Sequence, residues 1–296
     1  MAIRKSTGRI VFEICNIIFM LALSVIMLYP FLYVASASVS SNTAILAGRV
    51  SIIPDTFDLK AYQAVFKYKL VWTAYGNTLL YTSAGTTINL ILTVLGAYPL
   101  SRKDFYGKGL FTFMIAFTML FSGGLIPTFL VVRNLGLFNT RWAILLPGAI
   151  STMNMIIMRT FFQGIPDSLE EAATIDGCTD MQVLTKIILP LSTASLMTIG
   201  MFYAVGHWNR WFDAMIYLRD NTKYPLQLVL RSIVLQNQIN DLLSGQAGTT
   251  IEDGTNLIAE TIKYAVIMVA VIPILCVYPF VQKYFVKGVM IGSIKG

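Results

Sequence analysis

The chain has 296 residues, 56% of them hydrophobic and 12% charged, with 22 Lys and Arg against 15 Asp and Glu, a formal net charge of +7 and one histidine. A soluble domain carries about twice that share of charge, so a fold this apolar would leave large patches facing water, and composition alone indicates a membrane protein. The same figures exclude disordered, collagen-like, coiled-coil and disulfide-scaffold chains. No basic run exists, so the positive charge reads as membrane orientation and not as nucleic-acid binding.

A helix crossing a ~30 Å hydrocarbon layer needs about 20 apolar residues, and six stretches are long enough. The first, Val11 to Ala35, is interrupted only by Glu13 and Asn16. It is too long for the core of a signal peptide and reads as a retained span with Glu13 at the interface. The second, Thr78 to Leu100, carries Thr82, Ser83, Gly85, Thr86 and Thr87, residues that let helices approach closely. The third runs from Leu110 to Val132. The fourth, Trp142 to Phe162, has a polar face made by Pro147, Gly148, Ser151, Thr152 and Asn154. The fifth, Leu191 to Phe212, ends in His207-Trp208-Asn209-Arg210-Trp211, and the sixth, Ile262 to Val281, is the most apolar. This predicts an all-α membrane protein of six transmembrane helices with both termini on one side. Lys and Arg divide evenly between the two sides, but Arg4, Lys5 and Arg9 and the tight Ser101–Gly109 loop favour cytoplasmic termini.

Two polar segments stand between spans: residues 163–190 and the longer external loop 213–261. Within the latter, Tyr224 to Ile239 has mostly helical apolar spacing, then polar residues and a glycine-containing stretch to Gly254. It predicts a helix lying on the outer surface, either a cap on the protein's own end or a surface for a partner. The chain accordingly divides into 1–71 (tail, first span and external loop), a core of five spans over 72–281, and a basic tail over 282–296.

Catalytic chemistry is missing. One histidine excludes HExxH zinc sites, and no G-x-S-x-G or P-loop is present, since Gly107-Lys108-Gly109 lacks the upstream glycine and the Ser or Thr. Cys15, Cys178 and Cys276 form no CxxC and read as free thiols, and no metal site is expected. Charges inside the spans, the usual mark of ion or proton relays, are nearly absent.

The informative segment lies between spans four and five. Pro166-Asp167-Ser168-Leu169-Glu170-Glu171-Ala172-Ala173-Thr174-Ile175-Asp176-Gly177 predicts a short helix opened by a Ser168/Glu171 capping box and stopped at a left-handed Gly177. Thr179 and Gln182 repeat the box and start a second helix running to Leu189-Pro190. On the first helix, Leu169, Ala172 and Ala173 share a face that another backbone can approach. Glu170, Glu171 and Asp176 offer charge to basic partner residues.

The pattern E-A-A, three residues, Gly, nine residues, I-x-L-P, matched at Glu171, Ala172, Ala173, Gly177, Ile187, Leu189 and Pro190, resembles the signature loop of permease subunits in binding-protein-dependent ABC importers. Asn77-Thr78-Leu79, Ser122 to Pro127, His207-Trp208-Asn209 with Trp211-Phe212, and Tyr284 to Gly288 with Gly292 and Lys295-Gly296 extend the likeness over nearly the whole chain. They are similar to the carbohydrate branch, LplC-like or YtcP-like permeases akin to the second membrane subunit of maltose-type importers. The resemblance implies the type I importer (MetI-like) permease fold in a bacterial cytoplasmic (inner) membrane. It also implies several partners: a second, different permease subunit, two ATPase subunits that bind ATP and Mg, and an external solute-binding protein. The substrate would be an oligosaccharide, several such families taking theirs from pectin or other plant and algal polysaccharides. This chain would hold no cofactor and would not itself be an enzyme. The 163–190 loop, including Glu170 and Asp176, would be the coupling helix that docks on the ATPase, and the tail from Gln282 would reach the ATPases as well.

Sugars bind by aromatic faces and hydrogen bonds, which makes Asn154, Tyr203, Trp208 and Asn209 candidates for the substrate path, each with helix packing or interfacial anchoring as its alternative. His207 reads as a hydrogen-bonding or packing residue. Outer-loop Arg210, Arg219, Lys223 and Arg231 suit an acidic saccharide, unless Asp213, Asp220 and Asp241 pair with them. The alternative functions are a stand-alone secondary transporter or channel, which would need intramembrane charges or an inverted repeat, and a membrane enzyme, which would need clustered His, Asp or Glu at span ends.

Overall fold

The computed structural model describes residues 7–121, 123–235 and 259–293, and among them every regular element is helical. Arg4, Lys5, Ser122, the stretch from Gln236 to Gly254 with Asp241, and Lys295-Gly296 lie outside the described residues. Two compact units arise, one within Met1–Tyr68 and Ser232–Ile272, the other within Lys69–Arg231 and Pro273–Gly296.

In the first unit, α1 (Thr7–Ser38) covers the first expected span. Its apolar side chains face outward on nearly every side, as in a helix meant for lipid or for other membrane helices. Glu13 pairs with Arg9 one turn away at 3.2 Å, which keeps its charge at the helix end. Beyond α1, α2 (Asn42–Leu46) is capped by the Ser41 hydroxyl, and α3 (Lys60–Lys67) follows. Ala37, Ala44 and Val50 form a small core there with Tyr33 and Tyr264.

The second unit is organised around α4 (Lys69–Ser101). This helix begins nine residues before the expected Thr78, because the preceding Lys69 to Asn77 contains no proline, so Asn77-Thr78-Leu79 lies within the helix and does not open it. The third apolar run is not one helix. It forms α5 (Lys108–Leu120) and α6 (Leu125–Asn134), parted at Gly123 and Gly124, the latter at φ +81°. The fourth run is likewise divided: α7 (Trp142–Leu145) stops before Pro147 and Gly148 (φ +73°), and α8 (Thr152–Gln163) restarts on a Ser151 cap.

Next come α9 (Asp167–Ile175) and α10 (Asp180–Leu191), whose Leu184–Ile188 turn is π-helical just before Pro190 removes a backbone donor. After an 84° bend at Ser192, α11 (Thr193–Trp208) covers most of the fifth span. It stops four residues short of Phe212, which opens α12 (Phe212–Tyr217). A helix is present in the stretch from Tyr224 as α13 (Leu226–Leu235), with Leu226, Leu228, Val229 and Leu230 buried, and α14 (Ala259–Ser293) runs well past the sixth expected span.

Three of these helices are long and apolar enough to cross a membrane, and five spans result if each of the two bent pairs counts as one. The difference from six lies in the fourth run, whose break at residues 146–151 leaves helices too short to span alone.

Packing runs along α4, which lies against α11 and α8. Val94, Ala97 and Tyr98 of α4, Met155, Met158 and Phe162 of α8, Ala173 of α9, Val183, Leu184 and Ile188 of α10, and Ile199 and Tyr203 of α11 make one continuous core. Where hydrocarbon surrounds the helices, burial of apolar surface gives little drive, so close approach at small residues decides the contacts. At Gly85 a β-carbon would lie 2.4 Å from the buried His207 ring. Gly85→Ala is therefore expected to lower stability by about 1–3 kcal/mol through overpacking. The G85A/H207A double variant should lose less than the sum of the two single losses, as read by thermal unfolding in detergent.

Candidate functional site

The segment between α8 and α11 forms two rigid helices joined at a glycine. At the end of α9, the Gly177 N–H donates to the Thr174 carbonyl at 3.0 Å and the Cys178 N–H to the Ala173 carbonyl at 2.9 Å, with Gly177 at φ +81°. This is a Schellman stop, as the sequence predicts. The Thr179/Gln182 box is also formed, Gln182 Oε1 accepting from the Thr179 N–H at 2.9 Å. The Ser168/Glu171 box is not. Here α9 starts two residues earlier, with Pro166 at the cap position, and Ser168 lies inside the helix making no cap. Asp167 and Glu170 instead place negative charge in the first turn, against the positive end of the helix dipole.

What holds α9 in place is a set of charges brought from the Ser101–Gly109 loop, 60 to 70 residues away in sequence. The Arg102 guanidinium is half-buried and fully engaged. Its Nη1 donates to Glu170 Oε2, Nη2 to the Phe162 carbonyl at 3.3 Å and Nε to the Ser101 hydroxyl at 2.9 Å, while its carbon lies 5.1 Å over the Tyr98 ring. The Tyr98 hydroxyl donates to Glu170 Oε1 at 3.3 Å. Nearby, exposed Lys103 donates to Asp167 at 2.5 Å. That hydrogen bond, then the opposite charge, holds the Asp167 carboxyl below its usual value and raises Lys103. Being open to water, this second pair adds little stability. The two pairs border a cleft of about 870 Å³ lined also by Asp104, Glu171, Thr174, Ile175 and Asp180.

The expected docking residues therefore separate into two groups. Ala173, sequence-assigned to the approachable face, is 6% exposed and packed in the core with Ile188, and Glu170 is held within the chain. Ile187 and Leu189 are half-buried against the same core. Glu171, Ala172, Asp176, Gly177 and Pro190 are exposed, and Leu169, Ala172 and Ile175, spaced by three, leave an apolar strip open beside them. Among the described residues Glu171 makes no ion pair. Sequence reasoning missed Arg102 and Tyr98: the Arg102-Lys103 pair was visible only as an orientation signal.

The candidate path residues are mostly engaged in helix packing. Tyr203 is buried, its hydroxyl 2.7 Å from Thr93 Oγ1 and accepting from the Ser151 N–H at 3.1 Å. Trp208 is buried edge-on against Tyr75, and Asn154 is buried in the first turn of α8, where its N–H donates to the Ser151 cap. Only Asn209 is exposed, its amide nitrogen donating to the Val205 carbonyl. His207 is 2% exposed and shares a hydrogen bond of 3.1 Å with Asn89, the packing role expected of it. Asn89, oriented to satisfy both ends of its amide, donates to the Gly85 and Ala149 carbonyls.

At the other end of α4, the Asn77 amide donates to the Thr222 and Tyr224 carbonyls, and the Tyr81 hydroxyl to that of Lys223. The Thr78 hydroxyl accepts from the Leu226 N–H. The four outer cations are each committed. Arg210 pairs with Asp213 and donates to the Ile144 carbonyl, and Lys223 pairs with Asp220 and donates to that of Asn139. Arg219 stacks on Phe138 and Arg231 on Trp211. Among the described residues no group of three or more side chains could hold a metal ion.

Comparison with known proteins gives a consistent set of relatives. The family model for the binding-protein-dependent transport system inner membrane component matches residues 1–291. The polygalacturonan/rhamnogalacturonan transport system permease protein YtcP of Bacillus subtilis (strain 168) is 45% identical over 280 residues, 94% of this chain and 96% of that protein. Protein LplC of the same organism is 43% identical over 286 residues, 97% of this chain and 95% of that one. A chain in the crystal structure of a bacterial ABC transporter involved in import of the acidic polysaccharide alginate is 40% identical, with a TM-score of 0.86, covering 96% of this chain and 100% of that chain.

No atom lies within 4 Å of a β-carbon built at Gly177, so substitution there meets backbone strain and no clash. Gly177→Val is expected to cost about 1–2 kcal/mol from the left-handed conformation alone, and Gly177→Asn less, as read by thermal unfolding of the purified subunit.

Proposed function

The chain belongs to the family of binding-protein-dependent transport system inner membrane components, and on that footing we propose that it is one of two different permease subunits of an ABC importer for oligosaccharides cut from acidic polysaccharide. Permeases of this family are transport subunits and not enzymes, and in this reading the nucleotide chemistry belongs to two partner ATPases. The single observation that carries the reading is the α9–α10 pair. It is a rigid knob with Glu171, Ala172 and the Leu169–Ile175 strip exposed, and it is anchored from behind by Arg102 and the core. A knob of that shape and charge suits a groove in an ATPase subunit, with Glu171 facing a basic residue of the groove.

The proposal includes six crossings with both termini cytoplasmic and the domain division at residues 71 and 281. Two features support the orientation: the loop bearing Arg102, Lys103 and Lys108 sits at the same end as α9, and basic loops favour the cytoplasm. In this reading the basic tail from Gln282, which continues α14, lies on that side as well. ATP-driven closure of the ATPase dimer would displace α9, rotate the spans and open the path outward to a docked, loaded binding protein. This chain lines half of that path, and the sister permease the other half.

Acidic substrate is favoured by the relatives, one serving polygalacturonan and rhamnogalacturonan and one alginate. Arg210 and Lys223 are paired with Asp213 and Asp220, and Arg219 and Arg231 are exposed and stack on Phe138 and Trp211, so in this reading the choice of a uronate rests chiefly with the external binding protein and the sister subunit.

Two measurements test this. In the assembled importer Glu171→Lys should abolish copurification of the ATPase subunits while leaving the chain in the membrane; retention of the ATPases overturns the docking reading. With the importer and its binding protein in liposomes, trigalacturonate should stimulate ATP hydrolysis at least about tenfold more than maltotriose, within the range of ordinary coupling energies. Equal stimulation by the two sugars removes the acidic substrate.

A further inference from the structure

We propose that Arg102 is the joint through which movement of the coupling helix reaches the membrane-spanning part of this chain. The inference rests on the docking reading above and adds to it the element that receives the displacement and the side chain that transmits it.

The argument is one of connectivity. A helix that is pushed from outside moves its neighbours only through contacts that resist separation and shear. Apolar packing between α9 and the bundle resists compression but slides easily, and α9 contributes one fully packed side chain to that core, Ala173, whose methyl group gives little grip. Arg102 supplies what packing lacks. One planar guanidinium holds α9 at Glu170, the end of α8 at the Phe162 carbonyl and the end of α4 at Ser101, with Tyr98 beneath it donating to the same Glu170 carboxylate. The fork geometry of arginine fixes both distance and angle, which a lysine at the same place would not. The Arg102 and Glu170 side chains are 16% and 24% exposed, so water weakens the pair far less than it weakens Lys103–Asp167, at 80% and 51%. Three elements thus turn together. From that joint α4 runs to its outer end, where Asn77, Thr78 and Tyr81 grip the backbone of residues 222–226. Leu79 lies about 35 Å along the helix from Arg102 at 1.5 Å per residue.

The test uses the complete importer: this chain, the sister permease, the binding protein and ATPase subunits able to bind but not hydrolyse ATP. A nitroxide is placed at position 79, exposed on α4, in a chain whose three cysteines are serine. ATP should change the label's spectrum in the otherwise unaltered chain. In Arg102→Ala the ATPase subunits should still copurify but the ATP-dependent change should be lost. Arg102→Lys, which keeps the charge but loses the fork, should retain it only in part. Lys103→Ala, which breaks the exposed pair, should leave it intact.

Persistence of the ATP-dependent change in Arg102→Ala overturns the proposal. So does its absence in the unaltered chain, or a full-sized change in Arg102→Lys, which keeps the charge without the fork. Failure of the docking reading shows separately, as ATPase subunits that stay bound to Glu171→Lys whatever Arg102 does.

Discussion

A helix broken within an apolar bundle frees backbone groups that no water is present to satisfy, and the second unit of this protein is arranged around that constraint. The break at residues 146–151 is the clearest case. The freed Ile144 carbonyl accepts from Arg210, the Ala149 carbonyl from Asn89, and the Ser151 N–H donates to the Tyr203 hydroxyl. The same device recurs at both ends of α4. Asn77, Tyr81 and Thr78 take up the backbone of residues 222–226, and Arg102 takes the Phe162 carbonyl near the end of α8. Polar residues that look like a binding face in the sequence are in large part the fasteners that allow irregular chain to exist at that depth.

That explains which parts of the molecule were legible in advance. The α9–α10 pair was, down to the Gly177 stop and the Thr179 box, because caps are local and their residues lie within four positions of one another. The Ser168 box did not form because α9 begins at Asp167 after Pro166, which puts Ser168 inside the helix, past the cap position. Glu170 was legible as a charge beside the signature, but its commitment to Arg102 was not. Hydropathy also merged Trp142 to Phe162 into a single span, although Pro147 and Gly148 mark the break, since an apolar average is blind to where the backbone stops being helical. Tyr203 was chosen for sugar stacking on chemistry alone; burial turns it into a hydrogen-bonding strut.

The charges around α9 show how position decides meaning. Five of the acidic residues fall between Asp167 and Asp180, and a sequence reading treats them as one surface. Structurally they divide: Glu170 faces inward to a buried arginine, Asp167 pairs loosely in water, and Glu171 is left facing outward without an ion pair among the described residues. The inward residue anchors and the outward one is available to a partner, so two neighbouring glutamates with the same chemistry carry opposite assignments.

The commitment of Arg210, Arg219, Lys223 and Arg231 to partners inside the chain has a consequence for how such a transporter changes over evolutionary time. Each of these side chains holds loop or helix in place, so a lineage that turns from one sugar to another has reason to leave them unchanged. It can exchange an external receptor and keep the scaffold.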